Sequence, residues 1–151
     1  MKKLTAYLLL LGCCWYTPAQ ELSVTLPKEH YLRDDVGLFD REQRGVIISL
    51  LEKQSKKSLG RIYLDILEKL PAGQSVEEYA RRRLNDRSRL PGEKADKIML
   101  VVVLKDKMVR METSRDVSPV LSDEFCHQVN REIMIPKFKA GNYYAGIKAG
   151  I

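Results

Sequence analysis

Ile98-Met99-Leu100-Val101-Val102-Val103-Leu104 is the stretch that decides the fold. Seven apolar residues stand in a row, four of them β-branched, with no polar alternation. Asp96 and Lys97 precede them, and Lys105-Asp106-Lys107 follows. A run this short between charged ends reads as a strand buried on both faces, central in a sheet that helices cover on each side. The charged triplet is a tight turn, and Met108 to Thr113 returns as an antiparallel neighbour.

The segments on either side supply the covering helices. Upstream, Arg61 to Leu67 (RIYLDIL) alternates and is rich in β-branched and aromatic residues, so it is a second strand. Pro71-Ala72-Gly73 is a turn. Ser75 then caps a helix with Glu78 in the capping-box position, and Val76, Tyr79, Ala80 and Leu84 form its inner face before Pro91-Gly92 ends it. Further upstream, Asp40 and Gln43 open a helix carrying Val46, Ile47, Leu50 and Leu51 at helical spacing, which Gly60 stops. Downstream, a helix over 122–135 stacks Phe125, Val129 and Ile133 as its inner stripe. Pro136 closes it, and Gly141 precedes a short last helix with Tyr144 and Ile147. The order predicts a three-layer α/β/α sandwich on a small mixed β-sheet.

The chain has 151 residues, enough for one domain, and its 44% hydrophobic content is enough for a core. Residues 1–19 read as a signal peptide. Lys2 and Lys3 precede an apolar run from Leu4 to Leu11, too short to span a bilayer and right for secretion. Two exits are open: cleavage after Ala19 of Thr17-Pro18-Ala19, or lipidation of Cys13 in the lipobox-like Leu10-Leu11-Gly12-Cys13. Either predicts an exported domain, periplasmic or extracellular, with a membrane tie only through a lipid. Residues 20–30 form an extended lead-in and 31–151 the domain. Cys126 is then alone, and is expected to be a buried helix cysteine beside an exposed His127. Two of the +6 formal charges belong to the leader lysines, so the domain itself is mildly basic. Aromatic residues are sparse and not interleaved with basic ones, which argues against nucleic acid as a partner.

The chemistry-bearing residues are mostly acidic. Phosphate loops, His-rich metal motifs and nucleophile elbows do not occur in the sequence. Asp34-Asp35, Asp96, Asp116 and Asp123 stand at loop ends. Read as lying near one sheet edge, they would converge on a hard divalent cation such as Ca2+, which takes oxygen ligands in irregular geometry. The alternative is that Asp34 and Asp96 fix turns and Asp123 caps a helix. Arg81, Arg82, Arg83, Arg87 and Arg89 form a second candidate, an anion or partner contact. Their spread around a helix reads equally as a solvated face paired with Glu77 and Glu78.

Six segments in order resemble the TPM domain family. They are Tyr31-Leu32-Arg33-Asp34-Asp35-Val36-Gly37-Leu38-Phe39-Asp40, Ser75 to Ala80, Asp96 to Val103, Asp106 to Thr113, Leu121-Ser122-Asp123, and Ile135-Pro136-Lys137-Phe138 with Gly141-Asn142-Tyr143-Tyr144-Ala145-Gly146-Ile147. The resemblance implies an α/β/α sandwich and an exported or lumen-facing address. It also implies divalent-cation binding at Asp34, Asp96 and Asp123. The family's glycine-x-glycine-leucine-glutamate loop stands here as Ser114-Arg115-Asp116-Val117-Ser118, so Asp116 would replace the missing glutamate. The function expected is an exported interaction module that binds a divalent cation and serves an envelope or membrane-protein complex. The alternative, implied by a phosphatase in the family, is metal-assisted hydrolysis of phosphomonoesters.

Overall fold

The computed structural model describes residues 28–57, 60–89 and 96–151. The signal-peptide reading, Cys13 and most of the lead-in fall outside the described residues. Four strands make the sheet: β1 (Leu32–Asp34), β2 (Arg61–Leu67), β3 (Lys97–Val103) and β4 (Met108–Thr113). They lie in the order β1-β2-β3-β4, the first three parallel and β4 antiparallel to β3. Every residue of β3 is buried, as its unbroken apolar run requires.

The sheet separates two cores. On one face Leu64, Ile66, Ile98, Leu100 and Val102 pack under α1 (Arg41–Lys57), α3 (Asp123–Val129), α4 (Ile135–Lys139) and α5 (Tyr143–Gly150), through Ile47, Leu51, Cys126, Met134 and Ile147. On the other, Tyr63, Met99, Val101 and Val103 meet α2 (Val76–Ser88) through Val76, Tyr79, Ala80 and Leu84, the inner face read from its spacing. The chain is therefore an α/β sandwich with a four-stranded mixed sheet. Both parallel crossovers step the same way across the sheet but place their helices on opposite faces. One of the two is therefore left-handed, against the usual preference.

Local signals set the helix starts. The Asp40 carboxylate accepts from the Gln43 N–H at 2.8 Å. Ser75 and Glu78 form the full capping box, at 3.1 and 3.0 Å. Three expectations need correction. The end of the lead-in is not extended, because Lys28–Tyr31 is a 3-10 turn feeding the short edge strand β1. Pro136 does not close the third helix: it sits in the first turn of α4, which runs on to Lys139. Between α3 and α4 the chain makes a π-helical turn over Asn130–Met134. Third, Cys126, Asn130 and Met134 face the sheet, whereas Phe125 is 50% and Ile133 38% exposed. Of the stripe expected inside, only Val129 packs against the core, half-buried.

Candidate functional site

The four predicted ligands do not converge. Asp34 ends β1 level with Ile66, near the last residue of β2, while Asp96 precedes Lys97, which is level with Arg61 at the first. Five residues of strand separate the two levels, roughly 17 Å at a strand's rise. The Asp34 carboxylate already accepts three backbone N–H groups, from Val36 at 3.3 Å, Leu38 at 3.0 Å and Phe39 at 3.2 Å. It folds the loop into α1, with Gly37 at φ 66 permitting the turn. The Asp96 carbonyl accepts from the Arg61 N–H at 2.9 Å. Asp116 is exposed in the turn after β4. Asp123 receives a bond from Arg110 at 3.3 Å, and the cap of α3 is Ser122 instead. Among the described residues no three His, Cys, Asp or Glu side chains are grouped to hold a metal ion. The set Asp34, Asp96, Asp116 and Asp123 does not fit a single divalent cation.

Two ionic networks do form, and they join the candidates Arg83 and Asp123 to Asp65, Arg110 and Glu112, which no motif marks. Asp65, fully buried in β2, accepts from Arg83 Nε at 2.6 Å and from the Tyr79 hydroxyl at 3.1 Å. Burial works against the charge of Arg83, but the bond and charge of Asp65 outweigh it and its pKa is raised. Burial, and then the negative charge of Asp65, push the Tyr79 hydroxyl from 10.0 up to about 12. Below pH 10 the folded and unfolded states both keep this proton. Above it the unfolded state releases first, so stability falls as pH rises from about 10 to 12, by about 2–3 kcal/mol in all. Tyr79→Phe is expected to remove that part of the decline, read as the difference between wild-type and variant urea midpoints over about pH 9 to 12.

A second network closes the outer edge of β4. Arg110 donates to Glu112 through Nε at 3.0 Å and Nη2 at 2.7 Å, and its Nη2 also reaches Asp123. Its Nη1 lies 3.2 Å from His127 Nε2. A guanidinium only donates, so where this bond forms His127 Nε2 is the acceptor. Cys126 is buried, and burial followed by the nearby Asp123 charge raises its thiol pKa, which keeps it protonated and inert. The signal for both networks was present in the sequence. Asp65 stands inside an apolar strand, and Arg110 and Glu112 share one face of β4, where a buried charge demands a partner.

The α2 arginines do not form one anion site. Arg81 pairs with Glu112 at 3.5 Å, and Arg82 lies over the Tyr79 ring at 5.6 Å. Arg87 is buried with its guanidinium 4.6 Å from the Tyr63 ring centroid, and Arg89 is the exposed C-cap residue. Glu78 is taken up by the helix cap.

On the opposite face the outward stripe of α3 walls an open apolar groove of about 220 Å³. Ile62 and Ile98, at the starts of β2 and β3, form its floor; Leu121, Phe125 and Val129 form one side and Ile151 the other.

The family model of the TPM domain matches residues 32–151, almost all of the described chain. This chain belongs to the TPM domain family. Among solved structures, the N-terminal domain of a P. gingivalis protein superposes with a TM-score of 0.66 at 21% identity, covering 82% of each chain. BA42 of the psychrophilic bacterium Bizionia argentinensis gives 0.60 at 17% identity, covering 75% of this chain and 76% of its own. The N-terminal domain of cg2496 from Corynebacterium glutamicum gives 0.62 at 11% identity, covering 96% and 82%. At these identities the likeness is one of fold. No curated protein matches the sequence.

Within this TPM domain the segment Ser114 to Ser118 has a structural job. The Ser114 N–H donates to the Lys97 carbonyl at 2.8 Å, and the Ser114 hydroxyl accepts from the Lys97 N–H at 2.9 Å. The Ser114 carbonyl accepts from Val117 and Ser118, each at 3.0 Å. Thr113 and Ser118 hydroxyls bond at 3.0 Å. These bonds lock the tight turn after β4 to the start of β3.

Proposed function

We propose that this TPM domain is an exported, non-catalytic binding module. Carried out of the cytoplasm by its N-terminal segment, it docks on a protein of the cell envelope through the α3 groove. The observation carrying this reading is the outward apolar stripe: Phe125 and Ile133 are solvent-exposed, and Phe125 and Val129 wall the groove. An apolar patch on a small domain, beside a concave floor, is what a partner's apolar segment covers. No helix among the described residues is long and apolar enough to cross a membrane.

The carboxylates support the same reading. Asp34 orders a loop, Asp65 anchors α2, and Glu112 and Asp123 share the charge of Arg110. Two ionic networks matched from within the domain serve its folding, and a partner is left to engage the apolar surface.

Phe125→Glu separates docking from folding. The residue is half exposed, so the urea midpoint is expected to move by only about 0.5 kcal/mol in free energy. Co-sedimentation of the exported protein with envelope fractions is expected to drop several-fold. Unchanged co-sedimentation removes the groove as the docking surface. Turnover of p-nitrophenyl phosphate by the purified domain, lost on Asp123→Ala, would replace the module with the hydrolase reading. In a Ca2+ titration followed by NMR, Asp34, Asp96 and Asp123 are expected not to share one saturation curve.

A further inference from the structure

At the far end of the sheet from the α3 groove lies a second concavity, between the β3–β4 turn and the α4–α5 hairpin. It is a pocket of about 220 Å³ lined by Val103, Met108, Ile135, Phe138 and Tyr143, with Lys107 and Lys139 on its walls. The Phe138 and Tyr143 rings stack at 4.9 Å and make a rigid side. Met108, 43% exposed, supplies an adaptable lip.

The two lysines come from different elements. Lys107 is in the turn and Lys139 ends α4; both are exposed. Lys105 in the same turn is paired with Glu68 at 2.7 Å. Lys107 has φ 50, a left-handed conformation uncommon for a long side chain, and its N–H donates to the Leu104 carbonyl at 3.3 Å. The turn therefore holds a cation beside an apolar hole. Asp106 is the acidic residue of that turn, and Lys137 adds a further positive charge on α4.

We propose that this pocket binds a protein segment carrying one bulky apolar side chain flanked by carboxylates. The volume suits a single side chain and falls short of a drug-sized or acyl-chain cavity. The charge complementarity fixes the flanks as acidic, and short-range attraction to two lysines steers them. The proposal rests on the binding-module reading for the class of occupant, but on none of the residues of the α3 groove.

The test is an NMR titration of the 15N-labelled protein with a blocked Glu-Asp-Phe-Asp-Glu peptide. Saturable shifts are expected at Val103, Met108, Phe138 and Tyr143. Affinity is expected to fall about tenfold when the peptide's Phe becomes Ala, when its acids become lysines, or in Lys107→Gln/Lys139→Gln. Both substitutions are on the surface, so unchanged spectra elsewhere verify the fold. The proposal is overturned by no saturable shift at millimolar peptide, by equal binding of the lysine peptide, or by an unchanged affinity in the double variant. Shifts at the same residues with phosphatidylglycerol vesicles but not with the peptide would overturn it in favour of a membrane surface. Failure here leaves association through Phe125 standing, because that groove lies at the other end of the sheet.

Discussion

Arg83→Met is expected to destabilise the domain by about 3–5 kcal/mol, because it leaves a buried carboxylate without its counter-ion. Asp65 is wholly buried in the middle of β2, and Arg83 approaches it at 2.6 Å. Arg33 is held by Asp35 at 2.7 Å and reaches only the Tyr79 hydroxyl, at 3.5 Å, so it does not stand in for the missing guanidinium. The Tyr79 hydroxyl would remain as the donor to Asp65. In Asp65→Asn/Arg83→Met the charge is gone and the amide carbonyl still accepts from Tyr79. The double variant is therefore expected to be more stable than Arg83→Met alone, recovering about half the loss. Urea midpoints at constant slope measure both; equal losses in the single and double variants would show that the cost is packing and not charge.

Gly60→Ala is the second large effect. A Cβ built there stands 2.7 Å from both the carbonyl carbon and the oxygen of Asp96. Those are backbone atoms at the entrance of β3, and the same oxygen accepts from Arg61 at 2.9 Å. The methyl group has no flexible side chain to displace and would part β2 from β3 at their first rung. The expected loss is about 1–3 kcal/mol. Gly45→Ala is the matched control: its Cβ meets nothing, and it lies inside α1. Alanine there is expected to stabilise by about 0.5–1 kcal/mol. Opposite signs in thermal or urea unfolding check the pair; equal effects would contradict the close approach at Gly60.

Much of the fold was legible because its signals are local. The apolar run of β3, the capping box at Ser75 and the spacing of Val76, Tyr79, Ala80 and Leu84 each name an element without help from the rest. β1 was not legible. Three residues with one buried side chain, Leu32, carry no period, and the strand exists because its backbone pairs with Leu64, Asp65 and Ile66. The third helix misled for a different reason. Phe125, Val129 and Ile133 share one face at i, i+4 and i+8, but so do Cys126, Asn130 and Met134. Tertiary packing buried the second set and left Val129 of the first half-buried beside it, and the π turn at Asn130 adds a register shift that spacing does not contain. The candidate site suffered most. In the sequence Asp34 stands ahead of the first helix and Asp96 ahead of the central strand, but which end of the sheet each occupies depends on the strand boundaries. Once β1 is seen to end at Asp34 and β3 to begin at Lys97, the two carboxylates stand at opposite ends.

The proposed docking of the outward apolar residues Phe125 and Val129 on an envelope protein is open to a direct test in cells. The experiment is photo-crosslinking, with a benzophenone amino acid placed at Phe125 in the full chain produced in bacterial cells. A second probe at Arg41, at the exposed start of α1, serves as control. One discrete adduct is expected from position 125, absent from position 41, and abolished when Val129→Glu is added. Equal labelling from both positions, or none from position 125 while the exported protein still sediments with the envelope, would contradict it.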